Sequence, residues 1–303
     1  MTQQGGGPWT VRRLLEWTTG FFTRKNVDGP RLSAELLLSH VLSVPRIKLY
    51  TDYERPLGEK ELATFRALVQ RAGEHEPIAY LTGRAHFFNL EFDVTRDTLI
   101  PRPDTETIVE NVLQLARNTA GFEAPRVLDL CTGSGCIGIA IAHHLKNAVV
   151  LATDLSAPAV EVARRNAERL GLAGRVTVEQ GDLFEPVSRL PDPQPFNLIV
   201  ANPPYVPSGE IEKLDRNVRE YEPVSALDGG PDGLSLLRRI VHAAPERLLP
   251  GGRIYLEIQF DQGPAAKEHA ATVEQLDDVR ILKDHAGHDR VLTARRKPDA
   301  PPA

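Results

Sequence analysis

The chain has 303 residues, 41% of them hydrophobic and 25% charged, and its formal net charge is −5. That length predicts about two domains with buried cores, and the negative charge argues against a stable complex with nucleic acid. No stretch of about 18 residues is apolar throughout, and the amino end lacks the cationic and apolar segments of a secretory signal. We therefore expect a cytoplasmic protein that crosses no membrane, and we expect it to be a monomer.

The sequence contains two cysteines, Cys131 and Cys136. Two are too few for a disulfide framework, and they lack the second pair that a zinc site normally shows. We therefore expect reduced structural thiols and no bound metal.

The first part of the chain carries three amphipathic helical patterns. In TVRRLLEWTTGFFTRKN, Thr10 is a candidate N-cap, and apolar side chains recur at helical spacing. GPRLSAELLLSHVL and GEKELATFRALVQRAG show the same spacing, and connections that contain Pro and Gly separate the three segments. These patterns predict a small helical bundle over residues 1–75.

The hydrophobic periodicity then changes from helical to alternating. Apolar and polar residues alternate over Phe88–Val94, which is typical of a half-buried strand, and we predict a β-hairpin linker over residues 76–98. After the linker, LIPRPDTETIVENVLQLAR predicts a helix that opens at Pro103 and Asp104.

From Arg126 onward, predicted strands and helices alternate. The strands are RVLDL, AVVLATD, RVTVEQGD, FNLIV and GGRIYLEI, and helical patterns such as CIGIAIAHHL lie between them. HDRVLTARR predicts a further strand at a sheet edge. This alternation is typical of a parallel sheet with helices on both faces, and we assign it to a domain over residues 99–303.

The segment LDLCTGSGCIG joins the first of these strands to a helix. Gly133, Gly135 and Gly138 fit the G-x-G-x-x-G spacing of dinucleotide-binding folds, but that spacing alone is a weak signal. Asp129 argues against a dinucleotide as the ligand of this loop, because a carboxylate beside the loop would repel an anionic pyrophosphate. It would attract the ammonium and sulfonium groups of S-adenosylmethionine, which we therefore predict as the ligand.

Two further carboxylates follow the next two strands. Asp154 comes about 25 residues after Asp129, where an acid in such folds reaches a ribose hydroxyl pair. Asp182 could accept a hydrogen bond from an adenine amino group while Leu183 or Phe184 packs against the ring. Any one of these acids could be a helix cap or a turn residue, but three at successive strand ends predict a ligand crevice.

The tetrapeptide NPPY, Asn202 to Tyr205, follows the fourth strand. Neither proline carries an N–H group, so the strand cannot continue. The side-chain carbonyl of Asn202 and the backbone carbonyl of Pro203 can each accept one hydrogen of an –NH2 group and orient its nitrogen toward a methyl group. Pro203 and Pro204 fix the turn, and Tyr205 can stack on a planar group. The pattern predicts methyl transfer to a planar nitrogen without a strong general base.

These residues leave the methyl acceptor open. Adenine-nitrogen methyltransferases that act on DNA or RNA use a similar tetrapeptide. A binding module without turnover, for NAD or for the methyl donor, could also be built on the same glycine-rich loop. The negative charge and the lack of a separate basic recognition domain argue against the nucleic-acid substrate.

Six segments together closely resemble the HemK/PrmC family, whose members methylate the glutamine amide of peptide chain release factors. They are EPIAYLTG, LIPRPDTE, DLCTGSGCIGIA, NPPY, YEPVSALDGGPDGL and LPGGRIYLEI, in this order between Glu76 and Arg290. The resemblance implies an α/β class I methyltransferase (Rossmann-like) fold. It would have a seven-stranded, mostly parallel sheet, a small N-terminal helical bundle that docks the substrate, and a β-hairpin linker.

The resemblance also implies the activity and the site. The expected substrate is the glutamine in the Gly-Gly-Gln motif of release factors, methylated with S-adenosylmethionine so that translation termination is modulated. The residues predicted to bind the donor are Asp129, Cys131, Thr132, Gly133, Ser134, Gly135, Asp154, Asp182, Leu183 and Asn202. Those predicted to bind the glutamine are Asn202, Pro203, Pro204 and Tyr205, with Arg102 and Glu106 near the pocket mouth. For Arg102 and Glu106, a capping cluster at a helix start is an equal alternative.

The chain departs from the family pattern at three positions. Cys131 and Gln259 stand where glycine is usual, and Leu183 stands where an aromatic residue is frequent. We expect Cys131 to offer only its backbone to the donor, and Phe184 to share the packing against adenine.

Overall fold

The computed structural model describes residues 7–299. The chain forms two compact units. The helical unit comprises the chain up to Arg84 together with Asp215–Tyr221, and the sheet unit comprises Ala85–Leu214 and the residues from Glu222 onward. The predicted division into three parts, with boundaries after residues 75 and 98, stays a prediction.

Helices dominate the described chain as far as residue 82, and strands alternate with helices from residue 126 to residue 283. The helices of the described residues are α1 (Val11–Arg24), α2 (Pro30–Leu42), α3 (Arg46–Thr51), α4 (Glu59–Gly73), α5 (Ile78–Thr82), α6 (Glu106–Asn118), α7 (Cys136–His144), α8 (Ala157–Arg169), α9 (Glu185–Ser188), α10 (Arg216–Arg219), α11 (Ser235–Ala243) and α12 (Gly263–Ala271). The strands are β1 (Arg84–Phe87), β2 (Leu90–Asp93), β3 (Arg126–Leu130), β4 (Val149–Asp154), β5 (Val176–Gln180), β6 (Phe196–Ala201), β7 (Leu248–Glu257), β8 (Leu276–Lys283) and β9 (Asp289–Arg296). None of the helices within residues 7–299 is long and apolar enough to cross a membrane.

The helical unit forms because α1, α2 and α4 each bury an apolar face, as their sequence patterns predict. α1 is capped by Thr10, whose side-chain oxygen accepts a hydrogen bond from the Arg13 N–H at 3.4 Å. Phe22 and Phe65 lie in the shared core with no exposed surface. The short helices α3 and α5 are additions that the sequence patterns do not predict.

β1 and β2 pair as a two-stranded hairpin, which agrees with the predicted one, but its turn corrects the predicted strand. Phe88 and Asn89 form the turn, with φ angles of 49° and 60°. The strand predicted over Phe88–Val94 is therefore wrong at its start, and β2 begins at Leu90. Two residues with positive φ give a hairpin turn whose twist matches that of the paired strands.

The sheet unit is built on a seven-stranded sheet with the order β5-β4-β3-β6-β7-β9-β8. The first five strands in this order run parallel, and β9 is antiparallel to both β7 and β8. This confirms the predicted α/β, mostly parallel sheet. The prediction of an edge strand at HDRVLTARR is wrong, because β9 lies between β7 and β8. The edge strand on this side of the sheet is β8, whose pairing with β9 is irregular between Asp277 and Arg280.

Both faces of this sheet are covered by helices. Val127 of β3 lies in an apolar cluster with residues of α6, α7 and α8, whereas the next residue, Leu128, lies in a second cluster with residues of α11 and α12. Burial on both faces holds the strands firmly. Because β5, β4, β3 and β6 are neighbours in the sheet and run parallel, their carboxyl ends lie together at one end of the sheet.

Candidate active site

A cavity of about 320 Å³ lies at the carboxyl ends of β3, β4, β5 and β6. Small-ligand sites span roughly 300–1,000 Å³, and ligands of parallel α/β sheets bind at this end of the strands. The predicted site residues that line it are Cys131, Thr132, Gly133, Ser134, Asp154, Asp182, Leu183, Asn202 and Pro204. Asp129, Gly135, Pro203, Tyr205, Arg102 and Glu106 were also predicted, but they are not part of the wall. The wall also contains residues to which no binding role was assigned, among them Leu99, Thr105, Leu155, Ser225 and Leu236. Leu99 and Thr105 lie in LIPRPDTE, and Ser225 lies in YEPVSALDGGPDGL.

The glycine-rich loop between β3 and α7 has a left-handed backbone at several residues. The φ angle is 54° at Cys131, 56° at Gly133 and 83° at Gly135. Glycine adopts these angles freely, whereas a Cβ atom makes them unfavourable by about 1 kcal/mol or more. Cys131 thus holds a conformation that favours glycine. Burial, followed by the charges of Asp154 and Asp129, raises the pKa of the Cys131 thiol, so the thiol is protonated at neutral pH.

Asp129 anchors this loop from beneath and has no exposed surface. Its Oδ2 accepts hydrogen bonds from Thr132 Oγ1 at 2.6 Å and from the Gly138 N–H at 3.0 Å. A Cβ atom on Gly138 would lie 2.9 Å from that oxygen, so the approach requires glycine. Burial raises the pKa of Asp129 to about 7, against these two hydrogen bonds. Its Oδ1 is buried and has no hydrogen-bond partner within residues 7–299, so a nearby cation would stabilise the charged form.

Asp154 is the last residue of β4 and Asp182 comes shortly after β5, and both line the cavity from the side of those strands. Asp154 accepts hydrogen bonds from the N–H groups of Gly133 at 2.8 Å and Ser156 at 2.9 Å, and burial raises its pKa. Asp182 pairs through Oδ2 with the guanidinium of Arg239 at 2.5 Å. An ionised carboxylate has about four acceptor positions, so both residues retain capacity for a ligand.

An apolar part of the wall comes from the residue after Asp182. Leu183 is 6% exposed and lines the cavity, with a φ angle of 48°. Phe184 is also buried, but it is not part of the wall. The apolar contact at this point therefore comes from Leu183.

The tetrapeptide lies beside the glycine-rich loop, because β6 pairs in parallel with β3. The Asn202 Nδ2 group donates a hydrogen bond to Thr105 Oγ1 at 3.2 Å, which fixes the orientation of the amide. Neither Asn202 Oδ1 nor the carbonyl oxygen of Pro203 accepts a hydrogen bond from another residue of the described chain. The two acceptors predicted for an –NH2 group are therefore both free.

The loop DGGPDGL packs directly against the backbone of the tetrapeptide. A Cβ atom on Gly229 would lie 2.7 Å from the Pro204 carbonyl oxygen, and one on Gly233 would lie 2.1 Å from the Tyr205 carbonyl oxygen. Gln262, which precedes α12, donates from Nε2 to the same Tyr205 oxygen at 2.9 Å. The turn made by the two prolines is thus fixed from two sides.

The Tyr205 side chain is half-buried, and its hydroxyl is hydrogen-bonded to an acid. Its hydroxyl donates to Glu257 Oε1 at 3.2 Å, and Glu257 is 1% exposed at the end of β7. Burial and the neighbouring Glu257 raise the pKa of Tyr205. The hydroxyl is therefore protonated at neutral pH and cannot act as a base.

Arg102 and Glu106 hold segments of the sheet unit together. Arg102 forms an ion pair with the buried Glu222, which also accepts a hydrogen bond from the Ile100 N–H at 3.4 Å. Glu106 Oε1 accepts from the N–H of Phe88 at 2.7 Å, in the hairpin turn. Contact of Arg102 or Glu106 with a substrate stays a prediction.

Three polar residues that hold the tetrapeptide had no predicted role: Thr105, Glu257 and Gln262. Thr105 belongs to LIPRPDTE and Glu257 to LPGGRIYLEI, so membership of these segments was a signal for both. Gln262 had no comparable signal, because its contact depends on how α12 packs against the loop.

Comparisons with known proteins agree with this architecture. The family model of the PrmC N-terminal domain matches residues 13–83, and that of the methyltransferase small domain matches residues 107–217. Among solved structures, the hMettl16 catalytic domain in complex with MAT2A 3'UTR hairpin 6 is 16% identical with a TM-score of 0.53, over 81% of this chain and 84% of that chain. Identity this low indicates only a shared methyltransferase fold.

Two relatives named release factor glutamine methyltransferase match nearly the whole chain. The one from Rhodopirellula baltica is 40% identical over 290 residues, which are 95% of this chain and 97% of the relative. The one from Geobacter sulfurreducens is 47% identical over 287 residues, with the same coverage of 95% and 97%. These matches include both units and the tetrapeptide, and they confirm the resemblance. The chain therefore belongs to the release factor glutamine methyltransferase family.

Proposed function

We propose that this protein transfers a methyl group from S-adenosylmethionine to the side-chain nitrogen of the glutamine in the Gly-Gly-Gln motif of peptide chain release factors. The observation that carries the proposal is the pair of free acceptors, Asn202 Oδ1 and the Pro203 carbonyl. Asn202 lines the cavity, and Thr105 fixes its amide. Membership of the family supports the choice of glutamine over adenine. Modification of release factors would place the protein in the cytoplasm and would modulate translation termination.

The cavity fits the methyl donor. The backbone of the glycine-rich loop, together with Asp154, Asp182 and Leu183, would hold it, and the unpartnered buried oxygen of Asp129 suits a cationic ligand. When bound, S-adenosylmethionine supplies an electrophilic methyl group on a sulfonium.

The tetrapeptide would orient the glutamine nitrogen. The lone pair of an amide nitrogen is delocalised, so the nitrogen is a poor nucleophile. Asn202 Oδ1 and the Pro203 carbonyl would each accept one of its hydrogens, which aligns the nitrogen and favours positive charge on it. The Tyr205 ring would stack on the amide plane. The nitrogen proton becomes acidic only as the new N–C bond forms, so it is lost to water without a strong base.

The proposal extends to the helical unit, to which we assign docking of the release factor. Its match to the PrmC N-terminal domain supports a role shared with the family. Leu32, Ile47 and Tyr50 are large apolar residues that this unit exposes.

A methylation assay read by peptide mass tests the proposed function. The purified protein, S-adenosylmethionine and a folded release factor are mixed, and the peptide that contains Gly-Gly-Gln is analysed. We expect one added methyl group on the glutamine, and none with the Asn202→Ala variant. An unmodified glutamine after reaction with the wild-type protein would overturn the proposal.

The same donor, labelled in its methyl group, also tests the adenine alternative. We expect no label in cellular RNA or DNA. Label in nucleic acid together with an unmodified release factor would favour an adenine-nitrogen methyltransferase.

A further inference from the structure

A buried acid lies directly behind the tetrapeptide and has no part in the chemistry proposed above. Glu257 ends β7, the strand that pairs in parallel with β6, and Leu256 is in register with Ala201. Glu257 is therefore next to the strand end from which the tetrapeptide departs. Its Oε1 accepts the hydrogen bond of the Tyr205 hydroxyl, and its Oε2 is buried without a partner in the described chain.

The same acid is close to the group that holds Asn202. Thr105 is 1% exposed, and its Oγ1 accepts the hydrogen bond of Asn202 Nδ2. The Thr105 hydroxyl is also near enough to Glu257 to lower the pKa of that carboxyl. Both polar side chains of the tetrapeptide, Asn202 and Tyr205, are thus supported from one buried polar cluster.

This acid is costly for the fold. Burial raises the pKa of Glu257 to about 7, against the effects of the Thr105 hydroxyl, the charge of Arg290 and the Tyr205 hydroxyl. An apolar side chain in this position would carry no such desolvation cost. A carboxyl in this position therefore lowers the stability of the fold relative to an apolar side chain. What it provides in return is a fixed hydrogen bond to Tyr205.

We infer that Glu257 is a positioning residue for the methyl transfer: it fixes the Tyr205 hydroxyl and, beside Thr105, holds the tetrapeptide so that the Asn202 and Pro203 acceptors face the substrate amide. The inference rests on the proposed function and adds a residue to it. Glu257 acts through Tyr205 and Thr105 and does not touch the glutamine. Loss of its acceptor should therefore affect transfer to the release factor and leave binding of the donor unchanged.

Four variants separate this role from a general effect on packing. Glu257→Leu removes the acceptor, Glu257→Gln keeps a neutral acceptor, Tyr205→Phe removes the donor, and the fourth combines Tyr205→Phe with Glu257→Leu. We expect Glu257→Leu to lower kcat for release-factor methylation about tenfold, the effect of one lost hydrogen bond, at an unchanged Kd for S-adenosylmethionine. Glu257→Gln should stay within about threefold of the wild type. The double variant should be no slower than the slower single variant, because both changes remove the same hydrogen bond.

The matched control is Tyr255→Phe. Tyr255 is 5% exposed on the same strand, two residues before Glu257, so this variant also removes a buried tyrosine hydroxyl but leaves the tetrapeptide untouched. Its kcat should equal that of the wild type. A wild-type kcat in Glu257→Leu, or a double variant whose loss is the product of the two single losses, would overturn the inference. If Glu257→Leu does not fold, a wild-type kcat in Tyr205→Phe overturns it equally.

A second readout needs no substrate, so it separates this inference from the proposed function. Fluorotyrosine is placed at position 205 and observed by fluorine NMR. We expect the same sharp resonance in the wild type, in Glu257→Gln and in Tyr255→Phe, and a shifted or broadened one in Glu257→Leu. An unchanged resonance in folded Glu257→Leu would show that Glu257 does not position Tyr205, whether or not the release factor is methylated.

Discussion

At the scale of single residues, Cys131 shows how a side chain can stand where the backbone favours glycine. Its φ angle of 54° is unfavourable for any residue with a Cβ atom. We expect the free energy of unfolding of Cys131→Gly to be about 1 kcal/mol higher than that of Cys131→Ala. Both variants lack the thiol, and only glycine removes the backbone strain at this φ angle. Urea denaturation of the two variants measures the difference. Equal stabilities would contradict the strain assigned to this position.

The raised pKa of Glu257 predicts how the stability of the protein depends on pH. Its pKa is raised from an ordinary value of 4.5 to about 7 in the folded protein, so the folded state holds a proton that the unfolded state has released between these values. The wild type should therefore lose stability relative to Glu257→Gln as the pH rises from 4.5 to about 7. Across this window the stability difference between the two proteins should change by at most about 3.4 kcal/mol, and it should stay constant above and below the window.

Chemical denaturation of both proteins across this pH range measures the effect. Asp129 also has a raised pKa, but it is present in both proteins and cancels in the difference. A stability difference that does not change with pH would mean that Glu257 titrates normally in the folded state.

At the scale of elements, the loop that carries Gly233 decides where the tetrapeptide lies. A Cβ atom on Gly233 would meet the Tyr205 carbonyl oxygen at 2.1 Å, and its φ angle is 76°. We expect Gly233→Ala to displace the tetrapeptide and to lower kcat about 100-fold, as misplacement by an ångström can. Binding of S-adenosylmethionine, measured by calorimetry, should be retained.

Gly251→Ala is the control for this change. Gly251 also has a positive φ, 80°, but a Cβ atom there would meet nothing within 4 Å. It should lose some stability and keep its activity. Equal losses of activity in both variants would assign the effect to backbone strain and not to the contact with Tyr205.

The elements also show what the sequence could predict and what it could not. β3 was predicted as RVLDL and is observed at Arg126–Leu130, because an apolar run between turn residues is a strong local signal. β8 was missed, since Asp277 and Asp278 interrupt its apolar pattern and Asp278 has a φ angle of 48°. With β8 absent, β9 was placed at the edge. Strand order depends on pairing between distant segments, which periodicity does not contain.

For the site, the sequence could name candidate residues where the chemistry lies in a short segment. Asn202 was identified from its tetrapeptide, and the structure places it at the cavity wall. Its partner Thr105 is 97 residues away in sequence, and Glu257 is 52 residues from Tyr205. Only the fold brings these groups together, so no local motif could assign them their contacts.

At the scale of the whole molecule, the proposed docking role of the helical unit predicts an effect on large substrates alone. Ile47 is 69% exposed there. We expect Ile47→Glu to raise KM for a folded release factor about tenfold, the size of a modest interface contact. Its KM for a short Gly-Gly-Gln peptide should not change.

Val149→Glu provides the comparison. Val149 is 47% exposed at the amino end of β4, the end away from the cavity, so a charge there should leave both KM values unchanged. If Ile47→Glu behaves like Val149→Glu with the folded release factor, Ile47 has no role in docking.

The assignment of Asp215–Tyr221 to the helical unit has a consequence for synthesis of the chain. The Tyr221 hydroxyl donates to the carbonyl oxygen of Glu74 at 3.1 Å, so this unit uses a segment that follows β3, β4, β5 and β6. During synthesis on the ribosome, the N-terminal helices are made first. Their unit can be completed only after the chain has been extended to residue 221. Removal of the residues up to Arg84 would leave Asp215–Tyr221 without the helices with which this segment forms a unit. The helical unit is therefore not a detachable module.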